Sequence, residues 1–193
     1  MDIPADACSP PAAAELVVLL DEDRRPSGVA RKAAIHTRDT PLHLAFSCWL
    51  FDVDGKVLLT RRALGKVAWP GVWTNAFCGH PAPGEAVSDA VRRRAEHELG
   101  AAVTDLEPVL PDFAYRAVDA SRIVEHEVCP VYTAVLAGRF DPRPDEVMDV
   151  AWLDPVRLLD AVAAAPFVFS PWLVEQAPLL AAARPARFAP VTR

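Results

Sequence analysis

The sequence lacks three features that would assign it to well-known structural classes: an excess of basic residues, paired cysteines and long apolar runs. Lysine and arginine total 20 against 26 aspartates and glutamates, a net charge of −6, which argues against a broad surface for nucleic-acid phosphates. The four cysteines are scattered without a CxxC pair, so a disulfide framework is not expected. Without a basic, apolar leader or an apolar run of about 18 residues, the chain is predicted to be cytoplasmic and not membrane-spanning.

Length and composition predict one compact domain. The chain has 193 residues, of which 52% are apolar, enough for a single core without structural staples. Residues 1–14 are rich in proline and alanine and are expected to form a disordered leader, and residues 184–193 a loose tail. The domain itself is therefore predicted at residues 15–183. Separately, a monomer or homodimer is expected.

Hydrophobic patterning predicts short strands around one central helix, with two helices at the end. An Asp-Gly turn at Asp52–Gly55 favours a hairpin. The strands are expected at Leu16–Leu20, Leu44–Phe51, Val57–Thr60, Val103–Leu106 and Val124–Leu136, and the helices at Glu85–Leu99, Pro155–Ala164 and Trp172–Ala183. This order predicts an α/β (α+β) fold, with a mixed β-sheet between helices.

The central helix carries a carboxylate on its apolar face. Helical geometry places Glu98 within about 40° of Val87 and Val91. A buried carboxylate needs a partner, and two remain open: an ion pair with Arg94 one turn earlier, or a divalent cation.

The spacing around this helix follows the Nudix box, G-x5-E-x7-R-E-U-x-E-E-x-G-U, where U is apolar. Gly79, Glu85, Arg93, Glu98 and Gly100 keep the frame. Arg94 and His97 stand where the pattern has glutamates. Nudix hydrolases use several carboxylates to hold more than one metal ion, whereas a single carboxylate can hold Mg2+ on a diphosphate without hydrolysing it.

Imidazoles and carboxylates elsewhere predict a second metal site. Glu125 and Glu127 share one face of a predicted strand because strand side chains alternate. Together with His36, His43 and His80 they form a donor set suited to Zn2+, Mn2+ or Mg2+. The alternative is a solvated strand face and separate hydrogen-bonded histidines.

The chain resembles the metal-dependent (type I) isopentenyl diphosphate isomerases, which have a Nudix fold with extra C-terminal helices. The resemblance spans about residues 16–178. It is carried by the segments 42–47, 60–64, 68–75, 78–81, 115–117, 124–131, 145–147 and 169–172, which include Trp69-Pro70-Gly71-Val72-Trp73 and Cys78-Gly79-His80-Pro81.

This resemblance implies a role for each candidate residue. The metal at the His/Glu site would be held by His36, His43, His80, Glu125 and Glu127, and Mg2+ on the diphosphate by Glu98. The implied catalytic residues are Cys78, Glu127 and Tyr115, and the implied substrate-binding residues are Lys32, Arg62, Lys66 and Trp172. The implied activity is isomerisation of isopentenyl diphosphate to dimethylallyl diphosphate for isoprenoid biosynthesis.

The chemistry of such a reaction explains the residue types. Moving a terminal double bond inward requires a proton on one carbon, a tertiary cation and loss of a proton from another carbon. Cys78 and Glu127 are suited to these two transfers, and Trp172 to facing the cation and excluding water.

Two other functions remain open from the sequence. One is a Nudix pyrophosphohydrolase acting on another diphosphate, which the missing glutamates at positions 94 and 97 argue against. The other is a binding protein without catalysis, which would be expected to have lost Cys78 or a metal ligand.

Overall fold

The computed structural model of the chain describes residues 15–189, so the predicted leader at residues 1–14 lies outside the described part. The strands are β1 Leu16–Leu20, β2 Pro26–Arg31, β3 His43–Leu44, β4 Phe46–Phe51, β5 Val57–Arg62, β6 Trp73–Asn75, β7 Phe77–Gly79, β8 Ala102–Leu110, β9 Ala114–Val118, β10 Val124–Val128, β11 Val131–Ala137 and β12 Val147–Leu153. The helices are α1 Lys32–Ile35, α2 Val87–Leu99, α3 Pro155–Ala164 and α4 Pro171–Ala183. Among them, none combines the length and apolar character needed to cross a bilayer.

The strands form two mixed sheets. One sheet has the order β2-β1-β3-β10-β9, and the other has β12-β5-β4-β11-β8 with β6 and β7 paired to β5 and β4. Within these sheets β3 runs parallel to β10, and β4 runs parallel to β11. The predicted mixed α/β fold is therefore confirmed.

Strand β4 lies at the centre of the core and packs against helices on both of its faces. Phe46, Cys48 and Leu50 pack with α2 on one face. Trp49 and Phe51 pack with α3 and α4 on the other face. Because alternate side chains of a strand point to opposite faces, a strand buried on both sides reads as a continuous apolar run.

Two predicted strands divide where the chain passes from one sheet to the other. The predicted strand Leu44–Phe51 breaks at Ala45, and Val124–Leu136 breaks at Cys129 and Pro130. The two crossings run side by side, with the Ala45 amide donating to the Val128 carbonyl. This arrangement sets His43 beside Glu127 in the parallel register of β3 and β10.

Helix α2 begins two residues after the predicted Glu85. The Glu85 side chain accepts a hydrogen bond from the Ala82 amide, and its own amide donates to the Ala82 carbonyl. These bonds close a turn, and Ala86 then has an extended backbone before the helix starts. The helix ends as predicted at Gly100, whose φ of 56° suits glycine.

The other predicted elements are largely confirmed, and several short ones were not predicted. Helix α3 has the predicted bounds, α4 begins one residue earlier, and the Asp52–Gly55 turn joins β4 to β5. Strands β2, β6, β7, β9 and β12 were not predicted. The predicted loose tail is wrong over its described part, because Pro185–Phe188 forms a 3-10 turn that buries Phe188 against Trp49 and Phe51.

Candidate active site

Three histidines and a glutamate from separate elements meet between the two sheets. His36 follows α1, His43 lies on β3, His80 follows β7 and Glu127 lies on β10. One nitrogen or oxygen from each lies within 4.8 Å of the others. The predicted fifth member, Glu125, has its Oε2 3.0 Å from His36 Nε2. The structure thus brings the predicted His/Glu set together.

Backbone pairing and hydrogen bonds orient these side chains. His43 Nδ1 lies 2.9 Å from the Pro41 carbonyl oxygen, which leaves Nε2 facing the cluster, 3.4 Å from Glu127 Oε1. His80 Nε2 is 3.3 Å from the same oxygen. Tyr115 lies opposite Glu127 in the β9–β10 pair, and its hydroxyl donates to Glu127 Oε2 at 3.0 Å.

The donor set fits a divalent metal. His36 Nε2, His43 Nε2 and Glu125 Oε2 are buried without a hydrogen-bond partner. Leaving such atoms unsatisfied costs about 1–3 kcal/mol each, so clustering several of them needs a compensating ligand. Imidazole and carboxylate donors are those that Zn2+, Mn2+ and, for carboxylates, Mg2+ accept.

The pKa shifts within the cluster run in both directions: the pKa values of Glu127 and His80 are lowered, and those of Glu125 and His43 are raised. Burial raises the pKa of Glu127, but the adjacent imidazoles of His43 and His80 outweigh burial and hold the pKa well below its usual value. Burial lowers the pKa of His80 to about 4, leaving a neutral imidazole with a lone pair. Burial and the neighbouring charge of Glu127 raise the pKa of Glu125.

Cys78 reaches the same space from the opposite sheet. It lies on β7, paired with Ser47 of β4, and its Sγ is 3.5 Å from the Ser47 hydroxyl and 3.7 Å from Asn75 Oδ1. Burial raises the pKa of the Cys78 thiol to about 12, although these hydrogen bonds act in the opposite direction. The group is therefore a protonated thiol at neutral pH.

A cavity of about 580 Å³ connects these groups. Its volume falls within the range usual for small-molecule sites. Of the predicted residues, those that line it are Lys32, His36, Arg62, Lys66, Cys78, His80, Glu125, Glu127 and Trp172. Cys78, from the seven-stranded sheet, and Glu127, from the five-stranded sheet, thus share one cavity.

Trp172 forms an aromatic wall of the cavity. Its indole Nε1 donates to Asn75 Oδ1 at 3.1 Å, which fixes the ring. The ring packs against Tyr115 and Trp69, with centroids 5.7 and 5.5 Å away. The Arg62 guanidinium carbon lies 5.5 Å from its centroid.

The predicted basic residues lie together at the cavity, each held by an acceptor. Lys32 Nζ pairs with Glu15 at 2.5 Å, and Lys66 pairs with Glu146. Arg62 donates to the backbone carbonyls of the loop that ends β5. Arg31 and Arg94 also line the cavity and were not predicted to bind substrate.

Glu98 lies beside this basic group and makes the ion pair that the helix geometry allowed. Arg94 donates to Glu98 Oε1 through Nε at 3.0 Å and through a terminal nitrogen at 2.6 Å, and both side chains are buried. Arg94 also pairs with Glu146 at 3.3 Å. A role for Glu98 in binding Mg2+ stays a prediction.

Sequence reasoning missed the polar residues behind Cys78. Ser47, Asn75 and Gln176 are all fully buried and hydrogen-bonded to one another or to Cys78. Ser47 and Asn75 lie inside the segments that carry the family resemblance, which is the signal that could have found them. Gln176 is marked only as a polar residue one turn after Trp172 on an apolar helix.

Comparisons with known proteins point to one domain family and one enzyme name. Residues 41–173 match the NUDIX domain. The chain is 63% identical over 180 residues to the isopentenyl-diphosphate Delta-isomerase of Agromyces mediolanus, covering 92% of this chain and 87% of that protein. It is 56% identical over 165 residues to the protein of the same name from Klebsiella pneumoniae, covering 86% and 90%.

Solved structures of more distant proteins share the fold. A Deinococcus radiodurans protein superposes with a TM-score of 0.66 at 19% identity, covering 85% of this chain and 98% of that one. The MutT protein of Methanosarcina mazei superposes with a TM-score of 0.56 at 14% identity, covering 72% and 93%. At such identities these similarities concern the fold alone.

Proposed function

Because the chain belongs to the Nudix family and, within it, to the isopentenyl-diphosphate Delta-isomerases, we propose that Cys78 and Glu127 are its two proton-transfer groups. The chain is an enzyme that isomerises isopentenyl diphosphate to dimethylallyl diphosphate. The observation that carries the assignment of residues is that Cys78 and Glu127 line one cavity from two different sheets.

The reaction needs one proton delivered and one removed. A proton added to the terminal CH2 of the alkene leaves a tertiary cation, and loss of a proton from the carbon on its other side forms the internal double bond. Two groups that reach one cavity from different sheets can serve the two carbons without the substrate turning over. Each such transfer typically contributes 10²–10⁴-fold to the rate, as an order of magnitude.

The protonation states support complementary roles. Cys78 carries its proton at neutral pH, because burial raises its pKa to about 12. Glu127 is ionised and accepts from the Tyr115 hydroxyl at 3.0 Å, so Tyr115 can pass a proton to or from this carboxylate.

The His/Glu cluster would hold one divalent metal, either Mn2+, Zn2+ or Mg2+, through His36, His43, His80, Glu125 and Glu127. When bound, such a metal supplies positive charge that makes a carboxyl group in contact with it more acidic. The tightly set donors and their unpartnered nitrogens support this assignment. The imidazoles themselves orient Glu127 toward the cavity.

The rest of the cavity separates the charged and apolar ends of the substrate. Trp172 offers a π face to the cationic carbon and helps to exclude water. Lys32, Arg62 and Lys66 offset the charge of the diphosphate, together with Mg2+ held through Glu98. The ion pair of Glu98 with Arg94 places that carboxylate at the edge of the same basic group.

Diphosphate hydrolysis is the less favoured activity. Arg94 and His97 stand at two positions where the Nudix box has glutamates, and both lie next to carboxylates. Arg94 pairs with Glu98, and His97 Nε2 lies 3.4 Å from Glu146. Arg94 therefore offsets a charge that a hydrolase would use for metal binding. A cytoplasmic location and a monomeric or homodimeric state stay predictions.

Turnover in heavy water tests the function and distinguishes the two activities. The enzyme should convert isopentenyl diphosphate to dimethylallyl diphosphate, incorporate deuterium into the carbon skeleton and lose activity to a chelator. Inorganic phosphate release from nucleoside diphosphate derivatives with Mg2+ should stay at background. Phosphate release without carbon-bound deuterium would refute the isomerase assignment.

A further inference from the structure

A buried chain of hydrogen bonds connects helix α4 to the Cys78 thiol. Gln176 of α4 has no exposed surface, and its Oε1 lies 2.9 Å from both Trp49 Nε1 and the Ser47 hydroxyl oxygen. Ser47 in turn lies 3.5 Å from Cys78 Sγ. Neither Gln176 nor Ser47 lines the cavity.

The donor and acceptor chemistry fixes the direction of each hydrogen bond between Gln176 and Cys78. The Trp49 indole can only donate, so it identifies the Gln176 atom that faces it as the carbonyl oxygen. A carbonyl oxygen only accepts, so the single Ser47 hydroxyl proton must point toward Gln176. The Ser47 oxygen is then left with lone pairs, one accepting from Asn75 Nδ2 at 3.0 Å and one facing Cys78.

We propose that Gln176 is a positioning residue for the isomerisation, which orients the Ser47 hydroxyl so that its lone pair faces Cys78 and holds the thiol toward the cavity. This inference rests on the proposed function of Cys78. Gln176 acts through Ser47 and does not touch the substrate.

Two observations distinguish this role from simple packing. Gln176 Nε2 is buried without a partner, which is costly on a helix face where an apolar residue would fill the same space. Trp172, one turn earlier on α4, also reaches this network through Asn75.

The test compares Gln176→Met, Ser47→Ala and the double variant in the full chain with its metal. Methionine has a similar length but accepts hydrogen bonds only weakly. In Gln176→Met the proton of the Ser47 hydroxyl is therefore free to turn toward the sulfur of Cys78. We expect kcat to fall about 10- to 100-fold, the range seen when a residue that orients a metal ligand is lost. KM and metal content should stay at their parental values.

The double variant provides the decisive comparison. If Gln176 acts through Ser47, the double variant should be no slower than the slower single variant, since the same effect is lost once. Gln176→Glu keeps an acceptor in place and should recover much of the kcat lost in Gln176→Met. Leu180→Ala is the matched control, because it removes a fully buried side chain from α4, one turn after Gln176, that takes no part in the hydrogen bonds around Ser47 and Cys78.

Several outcomes would overturn the proposal. A parental kcat in Gln176→Met or Ser47→Ala would do so, as would losses that multiply in the double variant or an equal kcat loss in Leu180→Ala. If Gln176→Met does not fold, Gln176→Glu and Ser47→Ala carry the test, and a kcat below that of Ser47→Ala in Gln176→Glu overturns it. A parent enzyme that fails to isomerise at all would instead refute the proposed function.

Discussion

The charge of Glu127 should control how strongly a divalent metal stabilises the protein. Its carboxylate lies 3.4 Å from His43 Nε2 and 3.3 Å from His80 Nε2, and it is the one anionic donor among the four clustered groups. Glu127→Gln keeps the shape and an acceptor for the Tyr115 hydroxyl but removes the negative charge. We expect the metal to bind at least about 100-fold more weakly, since losing even an outer partner of a metal ligand costs about 10- to 100-fold.

The expected change in stability follows from linkage. A metal at 100 times its Kd stabilises the folded protein by about 2.7 kcal/mol, whereas the same metal at a concentration equal to Kd contributes about 0.4 kcal/mol. The difference of about 2.3 kcal/mol corresponds to about 5–9 °C in Tm for a chain of this length.

Calorimetry with and without Mn2+ or Zn2+ measures this effect without using activity. The parent should gain about 5–9 °C more from the metal than Glu127→Gln does. Glu175→Gln, an exposed change on α4, is the control and should respond like the parent. An equal metal response in Glu127→Gln and the parent would show that the His/Glu cluster does not bind the metal through this carboxylate.

Three further predictions concern Cys78, Lys66 and Glu98. Cys78→Ala should lower kcat by about 10²–10⁴-fold while the diphosphate still binds, because a general acid or base is lost; a near-parental rate of deuterium incorporation from heavy water would contradict this. Burial lowers the pKa of Lys66 to about 8, although the charge of Glu98 acts in the opposite direction. The ammonium charge that attracts the diphosphate is therefore lost as the pH rises through 8, and kcat/KM should fall in the parent but not in Lys66→Arg, which keeps its charge. Glu98→Gln should raise KM, with partial recovery on adding Mg2+; lower stability with unchanged KM would mean that Glu98 serves only the Arg94 ion pair.

Local rules were sufficient for part of the regular elements. The end of α2 follows from Gly100, and the β4–β5 hairpin follows from Asp52–Gly55. The shared face of Glu125 and Glu127 follows from strand alternation alone. The resemblance to a known family, rather than periodicity, supplied the roles of Cys78 and Trp172, since a single cysteine or tryptophan has no local pattern that separates function from packing.

The sequence by itself determined which donors the chain offers and the local geometry of each, because helix and strand periodicity depend only on neighbours along the chain. Only the tertiary structure decided which of them meet. His43 lies beside Glu127 because two strands change sheets together, and that parallel pairing joins residues 84 positions apart without any local signal. The Glu98 carboxylate pairs with Arg94, and Gln176 reaches Ser47 across 129 residues, because hydrogen bonds in a core depend on how sheets and helices stack.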